Sequence, residues 1–225
     1  VASFRESVTR WLDAVLPAQL YVRSTGGGND SQHLPPEFIA AVQALPGVAR
    51  VDTLRTLPLQ LDPARPAAAL VVRSLQADPL PLPLVGNPVP VPPGAVPVYV
   101  SEAMVDLYGA RAGTWLPDLA QAFAGPQARG VRFFVAGVWR DYARQHGSIA
   151  IDRDTFEQLT GDARVNDLAL HLVEGVDEAT VREAVRGLAA REGAQDMVAF
   201  ASVSEIRATS LRIFDRSFAV TYWLQ

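Results

Sequence analysis

The chain contains no cysteine and no lysine. Without thiols, disulfide frameworks, thiolate metal sites and a cysteine nucleophile are excluded, and such a chain suits an oxidising compartment. Without lysine, a Schiff-base amine and the phosphate-binding lysine of a P-loop are excluded too. All 20 basic residues are arginine. Histidine is scarce, with three in 225 residues. No run of about 20 apolar residues occurs, so no complete transmembrane helix is present. The longest charge-free stretch, Pro79 to Ser101, carries eight prolines and cannot span a bilayer as a helix. A net charge of -4 argues against a general nucleic-acid-binding surface. What is present is ordinary globular material, 49% apolar and 20% charged, in a length that suits one large domain or two lobes.

Both ends read as amphipathic helices. Phe4, Val8, Trp11, Leu12 and Val15 share one face at 3.6 residues per turn, and Pro17 stops the pattern. Ser3 with Glu6 makes a capping box, as does Ser202 with Glu205. Leu211, Phe214, Phe218 and Tyr222 then line one face of the last helix, which grows more aromatic towards Trp223. Such rings suit a membrane interface. Two readings stand: helices that lead to membrane spans of a longer protein, or two packing helices of a soluble domain.

Between the ends, strands are expected at Gln19–Arg23, Val51–Leu61, Leu70–Leu75, Val96–Val100, Val131–Arg140, Ser148–Ile151, Leu168–Leu172 and Met197–Ala201. Helices are expected over Pro35–Leu45, after Ser101 to Gly109, from Asp154 to Gly161 and from Asp177 to Gly193. Asp62-Pro63-Ala64-Arg65 predicts a hairpin, and Pro58 puts its first strand at an edge or a bulge. Ser24 to His33, with Gly26-Gly27-Gly28-Asn29-Asp30, reads as a loop. Residues 79–97, eight of 19 proline, read as a polyproline-like crossing between two lobes. The order of elements indicates an α+β fold of two lobes.

The search for chemistry is negative at each step. His171 and Glu174 are three apart on a strand and face opposite sides, so they cannot share an ion. His146 lies in a polar connection where Asp141 could orient it, yet no Gly-x-Ser-x-Gly nucleophile is available. Asp152-Arg153-Asp154 lacks the glycine and the twelfth-position acid of a calcium loop, and helix capping accounts for Asp154. The triple glycine fails Gly-x-Gly-x-x-Gly because residue 31 is serine. Trp115, Trp139 and Phe133-Phe134 read as core. No catalytic, cofactor-binding or metal residue is assigned, no cofactor is expected, and the chain is not expected to be an enzyme.

Three stretches resemble the extracytoplasmic domain of FtsX/MacB-like ABC transporter permeases. Ser3-Phe4-Arg5, Trp11-Leu12 and Leu20-Tyr21-Val22 look like the segment leaving the first membrane helix. Phe134 to Tyr142, then Gly147-Ser148-Ile149-Ala150-Ile151-Asp152, are similar to that family's "V-x-G-V-x-x-D-Y … G-x-I-x-I-D" stretch. Leu211 to Tyr222 looks like the approach to the second membrane helix. The resemblance implies a porter-like β-α-β lobe built from both chain ends (residues 1–75 and 165–225) with an inserted mixed α/β lobe, Sabre-like, at 76–164. It implies terminal helices leading to membrane spans of the bacterial inner membrane, the domain facing the periplasm. It further implies a cytoplasmic ATPase partner acting through the membrane part. The domain's function would be to relay ATP-driven helix motion to a periplasmic substrate or adaptor, and Phe4, Trp11, Phe214 and Phe218 would pack the terminal helices against each other or against the porter lobe. The rivals are a ligand-sensing receptor domain, which needs an enclosed polar pocket, and a soluble hydrolase using His146 and Asp141.

Overall fold

The computed structural model describes residues 2–25, 33–123 and 125–223. The expected glycine-rich loop at 26–30 lies outside them, as do the side chains of Phe218, Tyr222 and Trp223. The elements in chain order are α1 (Ala2–Val15), β1 (Leu20–Ser24), α2 (Pro36–Gln43), β2 (Val48–Leu59), β3 (Ala68–Arg73), β4 (Leu84–Val85), β5 (Val96–Ser101), α3 (Glu102–Tyr108) and α4 (Pro117–Ala122). A 3-10 turn (Pro126–Ala128), β6 (Phe133–Trp139), β7 (Ser148–Asp152), α5 (Arg153–Thr160), β8 (Asp167–Leu172), α6 (Glu178–Arg191), β9 (Val198–Ser202) and α7 (Val203–Trp223) follow. They form two compact units: Val1–Thr25, Leu34–Asp52 and Asp167–Gln225 in the first, Gly26–His33 and Thr53–Asn166 in the second. The chain leaves the first unit after residue 52, inside β2, and returns to it at residue 167. The reason is the β2–β3 hairpin, whose ladder from Arg55↔Val72 to Leu59↔Ala68 binds β3 and the far half of β2 into one unit.

The first unit has strand order β2-β8-β1-β9, β2 through its opening residues. β1 pairs antiparallel with both β8 and β9. The bonds Val173 N→Gly47 O and Asn166 N→Leu54 O set β8 antiparallel to β2. Two interleaved β-α-β turns result, β1-α2-β2 and β8-α6-β9, which is the split β-α-β arrangement. Phe38 and Val42 of α2, and Val181, Val185 and Leu188 of α6, are buried with Leu20 and Val22 of β1 and Leu168 and Leu170 of β8.

The second unit has the order β4-β6-β5-β7-β3-β2. β2 is its last strand, which is where Pro58, without an N–H, is tolerated. One face of this sheet packs against α3, α4 and α5 through Met104, Leu119, Phe123 and Phe156. The other face is covered by the proline-rich segment itself. Leu80, Leu82 and Leu84 recur at every second residue and pack with Trp139, Tyr99 and Ala150. Residues 79–97 therefore lie within the second unit, between β3 and β5, and form a strap over its sheet; they are not a crossing between lobes.

The Val-Ala-Gly-Val-Trp motif now has a physical account. The β5–β6 register steps from Val98↔Val135 to Tyr99↔Gly137, so Ala136 is a bulge. Its freed carbonyl accepts from Val89 N at 2.7 Å. Val89 is flanked by prolines that have no N–H to give. A Cβ at Gly137 would stand 3.1 Å from the Tyr99 ring. Two capping expectations shift. Asp152, not Asp154, occupies the N-cap of α5, and its Oδ1 accepts from Leu75 N at 2.9 Å. Ser3 lies inside α1 and does not cap it.

Candidate functional site

The chain ends meet on one pair of strands. Leu20, opening β1, is paired with Ser202, closing β9, and Val203 N donates to Gln19 O at 3.1 Å. α1 therefore enters, and α7 leaves, at the same end of the sheet. The helices run antiparallel. Asp13 pairs with Arg207 at 2.5 Å near the sheet, and Arg5 with Asp215 at 2.6 Å further out. Between the outer turns, Phe4 meets Phe214 edge-to-face, ring centroids 6.0 Å apart. Val8 and Leu12 of α1 are fully buried, and Trp11 is half-buried. The two ion pairs are half-exposed and each contributes little by itself, about 0.2–1 kcal/mol. What they fix is register and direction.

α7 is anchored by a reciprocal capping box. Glu205 N donates to Ser202 Oγ at 3.1 Å, and Ser202 N donates to Glu205 Oε2 at 3.0 Å. Arg182 of α6 holds the same carboxylate at 3.2 Å. The Ser202 amide first, and Arg182 next, hold the Glu205 carboxyl below its ordinary range. Ser202→Ala is expected to cost about 1 kcal/mol in urea denaturation.

The histidines are not drawn into a site. His171 Nε2 lies 2.8 Å from Asp52 Oδ2 and 3.1 Å from Arg50, while Glu174 is exposed. His146 is exposed. Asp141, its candidate orienter, is held by Arg144 at 2.9 Å, Ser148 Oγ at 2.8 Å and Ala143 N at 2.9 Å. That carboxylate fastens the 141–148 connection to β7. Among the described residues no three His, Asp or Glu gather around a metal position. Nor is any described helix long and apolar enough to cross a membrane.

Sequence reasoning missed one polar cluster. Arg55 on β2, with 3% of its side chain exposed, meets Asp162 at 3.3 Å, Asn166 Oδ1 at 3.4 Å and His33 Nδ1 at 3.3 Å. The partners of Arg55 lie more than 20 residues away along the chain, so no local pattern signals the cluster.

The architecture defines a fold class: the chain has the fold of the periplasmic region of MacB. No family profile matches it. Among solved structures it is similar to the periplasmic region of MacB from Actinobacillus actinomycetemcomitans, with TM-score 0.58 and 13% identity over 90% of this chain and 97% of that one. Among curated proteins it is 28% identical, over 233 residues, to an uncharacterized ABC transporter permease protein of Mycobacterium tuberculosis. That match takes in 100% of this chain and 26% of the relative, so the chain spans about a quarter of the relative's length.

Proposed function

We propose that the chain is the extracytoplasmic domain of an ABC transporter permease of the bacterial cytoplasmic membrane. In this reading it relays ATP-driven motion of membrane helices to a substrate or partner outside. The single observation that carries the reading is the antiparallel α1/α7 pair. It brings both helices out of one end of the sheet side by side, as two spans of one membrane protein require. A displacement of one helix along the other is passed directly to β1 and β9, the adjacent strands they join. The first unit corresponds to the porter-like lobe and the second to the inserted Sabre-like lobe. The power source is a cytoplasmic ATPase bound to the membrane part, and the domain performs no chemistry of its own.

This domain has no cysteine, so the test places two in a full-length permease freed of any cysteine outside it. In the full-length permease assembled with its ATPase, single cysteines at Arg10 and Arg212, both exposed, accept spin labels. Their distance distribution is expected to differ between nucleotide-free and ATP-trapped states. An unchanged distribution, or one that responds to an added small molecule and not to nucleotide, ends the relay reading. The second of these outcomes supports the receptor alternative.

A further inference from the structure

The outer edge of β6 is covered in pieces. Leu116 N donates to Phe133 O and Gly113 N to Val135 O, Val89 N takes the bulge carbonyl of Ala136, and β4 pairs with Val138 and Trp139. The edge is thus closed to β-strand addition by another chain. Yet the pieces that close it are conspicuously apolar on the outside. Of the five large apolar side chains exposed among the described residues, three lie here: Val85, Val91 and Trp115. Trp115 is 42% exposed although its ring meets Phe134 edge-to-face at 5.3 Å. The Arg132 guanidinium lies 4.5 Å from the centre of that ring.

Charge distinguishes this strip from the rest of the molecule. Residues 107–140 contain Arg111, Arg129, Arg132 and Arg140 against one acid, Asp118, in a chain whose net charge is -4. Arg140 is paired with Glu102 at 3.1 Å. Arg111, Arg129 and Arg132 are exposed and have no salt bridge among the described residues. Arg111 is tied to the strip by the turn it opens, its carbonyl accepting from Thr114 N and Oγ1. Arg129 stands on the turn that leads into Arg132, closed by Val131 N→Ala128 O.

We propose that this strip, centred on Trp115 and Arg132, is a docking surface for an acidic segment of a partner protein. An exposed tryptophan under an arginine is the composition of an interface hot spot. The three uncompensated guanidiniums ask for carboxylates, and Val85 and Val91 extend the apolar part along the covered edge. A protein segment fits better than an anionic bilayer. A segment meets only the local positive field, whereas a flat surface also meets the chain's net negative charge within a Debye length of about 8–10 Å. The surface is independent of the relay, so the two proposals fail separately.

The probe is a fluorescent glutamate–tyrosine copolymer titrated into the purified chain, followed by anisotropy at low and at physiological salt. Saturable binding is expected, weakened at least about tenfold by Arg132→Glu and several-fold by Trp115→Ala, and unchanged by Arg191→Glu in the first unit. Circular dichroism and the unfolding transition check each variant. If Trp115→Ala or Arg132→Glu disturbs the fold, Arg111→Glu, on an exposed turn, replaces it with the same expected loss. Absent binding, binding indifferent to these variants, or binding to phosphatidylglycerol vesicles with the same dependence on them overturns the proposal.

Discussion

Gly147→Ala is expected to destabilise the protein by about 2–5 kcal/mol, from two separable causes. The backbone at Gly147 has φ +95°, a region that a Cβ disfavours by about 1–2 kcal/mol. The added methyl would stand 2.5 Å from Met104 Sδ and 3.1 Å from its Cγ. Met104 is fully buried between α3 and the sheet, so the thioether cannot swing out to solvent. Its displacement costs about 1–3 kcal/mol, as overpacking does. The carbonyl of Gly147 also accepts from Ala69 N at 3.0 Å, which starts the β3–β7 ladder, so the turn cannot relax by moving away. Urea denaturation of Gly147→Ala, Met104→Ala and the double variant separates the causes. The double variant should lose less than the sum of the singles, because the vacated space accepts the methyl, while the φ strain remains. Strict additivity would show that Met104 is not the obstacle. A single variant within about 0.5 kcal/mol of wild type would show that the turn is not strained at all.

This glycine shows how far the sequence alone specifies the fold. Gly147 belongs to the motif that suggested the family, but the reason for it lies 43 residues upstream at Met104, and no local pattern carries that information. Elements with a strong period were legible. α6 begins at the Asp177 cap as expected, with Ala179 N donating to its carboxylate, and α3 and α5 end at Gly109 and Gly161 in the left-handed region. Elements shorter than two periods were not. β4 has two residues and α4 six, too few to repeat. The spacing of Asp154 and Glu157 is that of a capping box, yet the cap of α5 falls two residues earlier, at Asp152. Asp152 Oδ1 instead accepts from Leu75 N, a bond set by tertiary structure. The candidate site was half-legible for the same reason. Phe4 and Phe214 stood out on helical faces, whereas the pairings Arg5–Asp215 and Asp13–Arg207 join residues at opposite ends of the chain.

Arg55→Met is expected to cost about 3 kcal/mol at pH 7, although it keeps most of the side chain's volume. Arg55 is nearly inaccessible, and Asp162 has 13% of its side chain exposed. Removing the guanidinium leaves a carboxylate in a poorly solvated place with one cation fewer, and takes one donor from Asn166 Oδ1, which also accepts from Thr56 N at 2.8 Å. The loss stops short of the largest values for broken buried pairs because Arg164 stays. Its Nε and Nη2 lie 2.9 and 2.8 Å from the Asp162 carboxylate, and its backbone N donates at 3.0 Å. That side chain is the first cause holding the Asp162 carboxyl well below the usual carboxylate range; the Arg164 amide and the Arg55 charge add to it, against desolvation. The sign of the pH effect follows. A depressed folded pKa gives stability that is complete above the unfolded value near 3.8 and is lost as pH falls towards the folded one. Wild type should therefore lose part of its stability between about pH 4 and pH 2, and Arg55→Met should lose less over that interval because its Asp162 is already less favoured as an anion. Urea midpoints at pH 7 and pH 3 for wild type, Arg55→Met and Arg164→Met measure this. If Arg55→Met matches wild type at pH 7, the buried pair contributes nothing net and a well-packed apolar chain serves equally at this position. If Arg164→Met costs more than Arg55→Met, the exposed arginine, and not the buried one, holds the α5–β8 connection in place.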